Sequence, residues 1–424
     1  MSLAAIALIV VMLVCMIIGV PISWSLILAS GASLLLDGSA LSIIPQRLFT
    51  SMDAFTMLAV PLFLVAGDIM AQGSISRRMV NFADSIFGTI RGGLSVVLLV
   101  SCAIFAALTG SALATTAAIG AIMYPAMTER KYPKDYTTAL LAIGGTLGPI
   151  IPPSIVFIFY AQSSNLSVMK LFMSGIIPGI LCCALWSVYA IFVAKKEKLP
   201  KEGNFSWKKV GIAFKESFLA LLMPVIILGG IYLGIFTATE AAVAVVYGLC
   251  ISLFVYRDIK VRDLLPMFKN TAKTTANLMI LIAAANVFGY LVAYFGITTS
   301  LTALVTKLAP NAVLFMVFSG LLLILCGMFM EATAVVVILC PILHPMAMSY
   351  GIDPVMYACF MVFLLCMGIA TPPFAPSMFV ACGISKEPIT KVTKRILPML
   401  AIQLIVGILI AVVPFLSTFL PSLV

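Results

Sequence analysis

Histidine occurs once in 424 residues, at His344, and tryptophan only three times. Charged side chains make up 9% of the chain, against roughly 25% in a soluble globular protein. These scarcities exclude whole classes of chemistry. One histidine cannot build a histidine metal cluster or serve a serine–histidine relay elsewhere in the chain. The few acids are scattered rather than paired, which argues against a membrane-embedded enzyme. The ten cysteines contain no CxxC pair. Cys102, Cys250 and Cys340 fall inside apolar runs and read as small buried hydrophobes, so neither a disulfide framework nor a zinc site is expected.

What fills the chain instead is apolar: 63% of residues are hydrophobic and the mean hydropathy is +1.21. Runs near 20 residues recur along the whole length, which is repeated membrane spanning rather than one signal peptide. We draw them at 3–20, 22–37, 54–72, 93–109, 112–127, 137–160, 171–194, 218–236, 239–256, 276–297, 312–326, 330–345, 356–384 and 397–420. Amphipathic stretches at 39–51 and 74–91 fit an interfacial position.

The formal charge of +10 does not indicate nucleic acid. Of the 25 basic residues, 22 sit in five stretches: 73–92, 128–136, 195–217, 257–274 and 385–396. One alternation of crossings puts all five in the cytoplasm, as the positive-inside rule requires. It needs 93–127 and 312–345 each to enter and return on one side, and it leaves both chain ends outside.

The two halves resemble each other. Gly148-Pro149-Ile150-Ile151-Pro152-Pro153 recurs as Gly368-Ile369-Ala370-Thr371-Pro372-Pro373, and Pro178 meets Pro398 at the same shift of 220. Gly110 and Thr116 meet Gly327 and Thr333 at 217. Each half holds five crossings and one out-and-back pair, so the second half is inverted relative to the first, and inverted repeats place a solute site where they meet. The expected fold is an all-α polytopic membrane protein of about ten transmembrane helices with two re-entrant hairpins and two broken helices. Residues 1–194 form the first repeat, with a cytoplasmic-side hairpin at 93–127 and a broken helix at 137–160. Residues 195–217 are a basic cytoplasmic linker. Residues 218–424 form the second repeat, with a periplasmic-side hairpin at 312–345 and a broken helix at 356–384.

Chemistry is expected at the interruptions. Proline removes a donor and opens the helix. Opened backbone in hydrocarbon is tolerated only when buried in protein or lining a wet cavity. Freed carbonyls with serine and threonine hydroxyls suit a small hard cation such as sodium. Helix N-termini at the break suit an anionic group. The alternative for any single proline is a plain kink; four breaks paired across the repeat favour a site. Glu331 is an acid inside an apolar stretch, costing about 2.5–3.5 kcal/mol on insertion scales and read by default as functional; the alternative is a hydrogen-bonded structural acid. Glu240, in Thr237-Ala238-Thr239-Glu240, has capping-box spacing. Asp68 lies near one end of its span, where an interfacial role is expected. Asn277 and Asn286 either line the cavity or bridge helices.

Several of these stretches are similar to the large membrane subunit of the tripartite ATP-independent periplasmic (TRAP) transporters. They are Val60-Pro61-Leu62-Phe63 to Ala66-Gly67-Asp68-Ile69-Met70, Thr109-Gly110-Ser111-Ala112 to Ala114-Thr115, Gly148 to Ser154, Phe236-Thr237-Ala238-Thr239-Glu240-Ala241, and Thr371-Pro372-Pro373. The resemblance runs from residue 3 to about 420. It implies sodium-coupled uptake of a small organic acid (a C4-dicarboxylate, sialic acid or a sugar acid) across the bacterial inner membrane by an elevator movement. It implies two partners: a periplasmic substrate-binding protein and a small four-helix membrane subunit, here on a separate chain. Substrate contacts would come from Ser111, Ser154, Thr146 and Asn286. Sodium ligands would come from Gly110, Ser111, Thr115, Gly148, Pro149, Gly327, Glu331, Thr333, Gly368, Thr371 and Pro372. Proton coupling through Glu331, uptake without a binding protein, and a passive channel are the competing readings.

Overall fold

The computed structural model describes residues 2–72, 74–201, 205–237, 239–240 and 243–423. Ala238 and Ala241 of the Phe236–Ala241 motif, and residues 202–204 of the basic linker, lie outside the described residues. Among the described residues the regular structure is entirely helical. The first half contains α1 (Leu3–Ile17), α2 (Ile22–Asp37), α3 (Ile43–Met52), α4 (Ala59–Gln72), α5 (Ile75–Phe87), α6 (Gly93–Thr109), α7 (Ala112–Glu129), α8 (Lys134–Gly145), α9 (Ile155–Ser164) and α10 (Val168–Lys196). The second contains α11 (Trp207–Tyr232), α12 (Val243–Cys250), α13 (Val261–Tyr294), α14 (Ile297–Leu308), α15 (Ala312–Phe329), α16 (Ala332–Ser349), α17 (Pro354–Gly368), α18 (Pro376–Ser385), α19 (Ile389–Val412) and the single turn α20 (Phe415–Thr418). Six of these, α10, α11, α13, α15, α16 and α19, are each long and apolar enough to cross a membrane alone.

The repeat is legible in the helix ends. α7 and α16 begin and end at an offset of 220, and so do the first residues of α8 and α17. This register corrects one pairing read from the sequence. Gly110, which ends α6, corresponds to Met330, which ends α15, while Gly327 lies inside α15. Glycines were matched there because they look alike, but the hairpin tip is set by where the helices cap. In the same register Ser111, the N-cap of α7, corresponds to Glu331, the N-cap of α16.

Three helices reach beyond the apolar runs. α11 starts at Trp207, α13 at Val261 and α19 at Ile389, so much of the basic 257–274 and 385–396 stretches is helical. Charged first turns carry no hydropathy signal, which is why the runs look shorter. α14 was not expected at all; its Thr-rich sequence reads as a loop. It mirrors α5, and both occupy joints: α5 packs on α11 and on α6, α14 on α13 and on α16.

Packing divides the helices into two groups. α1–α4, α12 and α13 pack mainly on one another, with α13 running along α2, α3 and α4, and α11 joins them through α12 while packing chiefly on α5. α6–α10 and α15–α20 form the other group. Within it the halves interlock, because α18 packs on α7 and α8 while α9 packs on α16 and α17. Each exchange carries a polar node. The Ser377 hydroxyl donates to the Ala142 carbonyl at 2.7 Å and sits 3.0 Å from the Thr116 hydroxyl. On the mirror side the Tyr160 hydroxyl meets His344 Nδ1 at 2.8 Å. One end of the second group is tied by Arg395 of α19, whose guanidinium donates to Asp135 at 2.9 Å and Glu197 at 2.5 Å.

Candidate functional site

The two chain interruptions form as physics demands. α8 stops at Gly145 and the helix resumes only at Ile155; α17 stops at Gly368 and α18 begins at Pro376. Between them lie Pro149, Pro152 and Pro153 in one break, and Pro372 and Pro373 in the other, none able to donate a helical hydrogen bond. The Pro152–Pro153 and Pro372–Pro373 bonds are both cis.

Each hairpin is seated against the opened helices. Gly110 has φ +61°, and a Cβ there would lie 2.4 Å from the Pro153 carbonyl oxygen and 3.1 Å from Ser154 Cα. Gly148 returns the contact: a Cβ on it would lie 2.5 Å from the Ser111 carbonyl carbon. In the second half a Cβ on Gly368 would come within 2.6 Å of Gly327 Cα. Glycine is required at these points because backbone meets backbone.

Both tips and both breaks open on one cavity of about 410 Å³. Thr109, Gly110, Ser111 and Ala114 line it from the first hairpin, and Glu331 and Thr333 from the second. Pro149, Ile155 and Val156 come from one break, Ile369 and Pro376 from the other. The remaining wall belongs to the other helix group: Leu64, Gly67 and Asp68 of α4, and Thr274, Asn277 and Leu278 of α13. The cavity therefore lies between the two groups, and Thr109 rests on Gly67 at their contact.

The electrostatics follow from the helix ends. The first turns of α7, α9, α16 and α18 all reach the cavity. Each helix N-terminus is equivalent to roughly +0.5 charge, which favours an anion. The C-terminal end of α6 reaches the same space at Thr109–Gly110, and the carbonyls of a helix end favour a cation; at the end of α17 the Ile369 carbonyl instead accepts from the Ser377 amide at 3.1 Å. Among the described lining residues two are acids, Asp68 and Glu331, and none is basic. The Asp68 carboxylate accepts a hydrogen bond from the Thr271 hydroxyl of α13, which holds it in place.

Of the residues expected from sequence to contact solute or ion, Gly110, Ser111, Pro149, Glu331 and Thr333 line the cavity. Thr115 stands one layer behind: its hydroxyl donates to the Ser111 carbonyl at 2.8 Å and lies 3.1 Å from the Thr109 hydroxyl, bracing the tip. Gly148, Gly327 and Gly368 shape the seats just described. Ser154, Thr146, Asn286, Thr371 and Pro372 fall outside the lining. The Ser154 hydroxyl is buried, donates to the Pro149 carbonyl at 2.6 Å and accepts from the Phe157 amide at 3.3 Å, so it caps α9. Thr146 and Thr371 hydroxyls turn back to the carbonyls of Ile143 and Met367. The Asn286 amide donates to Ile282, and Asn277 takes the place on the wall. The structure adds Asp68 and Thr274. Asp68 was expected at the interface, yet it carries the signal that singled out Glu331, an acid in an apolar stretch. Glu240 forms the capping box read from the sequence: its carboxylate accepts from the Thr237 amide and hydroxyl, and its own amide donates to the Thr237 hydroxyl.

Comparison with known proteins identifies the family. Residues 9–416 match the family described as the tripartite ATP-independent periplasmic transporter, DctM component. The chain is 38% identical to the C4-dicarboxylate TRAP transporter large permease protein DctM of Pseudomonas aeruginosa, over 89% of this chain and 88% of that protein. It is also 38% identical to the isethionate TRAP transporter permease protein DctMQ of Oleidesulfovibrio alaskensis, over 95% of this chain, but spans only 64% of that longer relative. In three dimensions it resembles the Alcanivorax borkumensis YdaH transporter, whose crystal structure shows an unusual topology, with TM-score 0.61 over 87% of this chain and 88% of that one at 16% identity, a likeness of fold. The relatives are transporter permeases and not enzymes, and on the family match and these identities the chain belongs to the DctM-component family of TRAP transporter large permeases.

Proposed function

We propose that this chain carries a small organic anion across the bacterial inner membrane together with sodium, by movement of the hairpin-bearing helix group against α1–α4 and α11–α13. One observation carries the reading: a single cavity is lined by both hairpin tips, by both helix breaks and by the opposing helices α4 and α13. A solute held by the tips and breaks travels with their group, and sliding that group past the wall exposes it on the other side. Inverted repeats with the site at their interface are a common transporter plan for alternating access. The four helix N-termini supply the anion's partial positive charge. The carbonyl at Gly110, with Ser111, Thr333 and the Glu331 carboxylate, supplies oxygens for sodium. Gly148, Gly327 and Gly368 hold the tips where those oxygens converge, and Thr115 braces the first tip from behind. The two relatives compared above are named for isethionate and a C4-dicarboxylate, both small anions. The partners in this reading are a periplasmic binding protein that delivers the acid and a small four-helix membrane subunit, carried on a separate chain.

Reconstitution in liposomes tests it. Uptake of a radiolabelled acid is expected to require the binding protein, the small subunit and an inward sodium gradient. Uptake from this chain alone, indifferent to collapse of that gradient, refutes the proposal. The placement of Glu331 in the cavity supports one second reading, proton coupling. Uptake that follows the pH gradient and is lost in Glu331→Gln, with no response to sodium, selects it.

A further inference from the structure

The cavity's charge is set from two sides that do not travel together. Glu331 belongs to the second hairpin, the side that carries the solute. Asp68 belongs to α4 on the opposing wall and is tied by Thr271 to α13, a helix of the same fixed group. No Lys, Arg or His stands among the described lining residues to offset either acid; Lys269 and Lys273, on α13 beside Thr271 and Thr274, are not part of the lining. An anion entering this space alone meets the helix N-termini ahead of it and a fixed carboxylate behind. In a confined site of low effective dielectric that repulsion is not screened as it is in water. A cation entering with the anion cancels it.

We propose that Asp68 is a charge-selecting residue of the stationary wall, which bars a bare anion from the cavity and admits it only in company with a cation. This rests on the reading of the cavity as the solute site and adds to it the device that suppresses uncoupled leak. A residue fixed to the wall is well placed for this, since it never has to release a solute and need only make the unaccompanied one unfavourable. Asp68→Asn removes the charge and keeps an oxygen to accept from Thr271, so the α4–α13 contact survives.

The test uses small probes, so it does not depend on knowing the solute. Ser111→Cys places a thiol on the cavity, in a background where the exposed Cys250 and half-exposed Cys326 are replaced by alanine. Its labelling rate is measured in membranes with methanethiosulfonates bearing a sulfonate, a trimethylammonium or an uncharged methyl group, each normalised to free thiol. With Asp68 present, the cationic reagent is expected to outrun the anionic one. Asp68→Asn is expected to raise the sulfonate rate about tenfold, the order of magnitude that unit charges sharing one small cavity give at an effective dielectric of about 20. The cationic rate falls correspondingly and the uncharged rate stays fixed. Unchanged rates, an equal change with all three reagents, or an introduced thiol that no reagent reaches would each overturn the proposal. Uptake is measured separately with Ser111 intact: unchanged labelling ratios beside normal sodium-driven uptake sink the role of Asp68 alone. Altered ratios beside sodium-independent uptake sink the coupling reading alone.

Discussion

Replacing Gly110 by alanine isolates the contact on which the first hairpin depends. Two costs add. The residue has φ +61°, and the left-handed region costs an L-residue about 1–2 kcal/mol. The new Cβ would also sit 2.4 Å from the Pro153 carbonyl oxygen, a backbone atom that cannot rotate away. Relief requires the tip to retreat from the break, and forced overpacking of this kind costs about 1–3 kcal/mol more. Gly38 supplies the control, because its φ is +75° and nothing lies within 4 Å of its Cβ position. Gly38→Ala therefore incurs only the first cost. Apparent melting temperatures of the two variants in one detergent should differ, with Gly110→Ala lower, and sodium-driven uptake should fall in Gly110→Ala alone. Equal melting temperatures with equal uptake would show that the tip does not seat on the break, and the account of the cavity would fail with it.

Three further outcomes are expected. Ser154→Ala removes the α9 cap and should lower stability by about 1 kcal/mol with little change in apparent solute affinity, whereas Ser111→Ala should weaken affinity more than stability; melting curves and uptake KM separate them. Arg395→Ala breaks both half-exposed contacts, to Asp135 and Glu197, and should cost about 1 kcal/mol after solvent screening; the loss should shrink in high salt, and Arg395→Lys should not restore it, since one ammonium cannot bridge both carboxylates as the guanidinium fork does. Ahead of α12, the amide and hydroxyl of Thr237 hold the Glu240 carboxyl below its ordinary value of 4.5. The stability this adds is complete above that unfolded value and is lost as pH falls through the depressed folded one; the melting advantage of wild type over Glu240→Gln should vanish on that acid side.

Much of the architecture could be read from the chain because it rests on strong local signals. The proline runs at Pro149–Pro153 and Pro372–Pro373 forbid continuous helices, and both breaks fell where expected. The capping box at Thr237–Glu240 also formed as its spacing required. What escaped reading depends on three-dimensional neighbours. Ser154 and Ser111 look alike in sequence and each caps a helix; only the packing, which turns Ser111 to the cavity and the Ser154 hydroxyl back to the Pro149 carbonyl, tells them apart. Asn286 and Asn277 lie nine positions apart on one helix, and rotation about the axis decides which meets the cavity. Asp68 reads as interfacial because it lies near one end of its span, yet packing of α4 against the first hairpin turns it inward. α14 went unseen because a helix lying on an interface needs only a narrow apolar stripe.

The interleaving of the two halves bears on how the molecule is made. Thr116 and Tyr160 leave the ribosome long before their cross-half partners Ser377 and His344, although the Thr116 hydroxyl already has the Ala112 carbonyl of its own helix. At about 5–20 residues per second, the roughly 180–260 intervening residues take about 10–50 s to synthesise. For that interval the newborn first half sits in the bilayer with the Tyr160 hydroxyl and the opened backbone uncovered, and its final shape must wait for the last quarter of the polypeptide. Variants truncated before Ser377 should therefore be cleared by membrane proteases even though most of their length is already inserted.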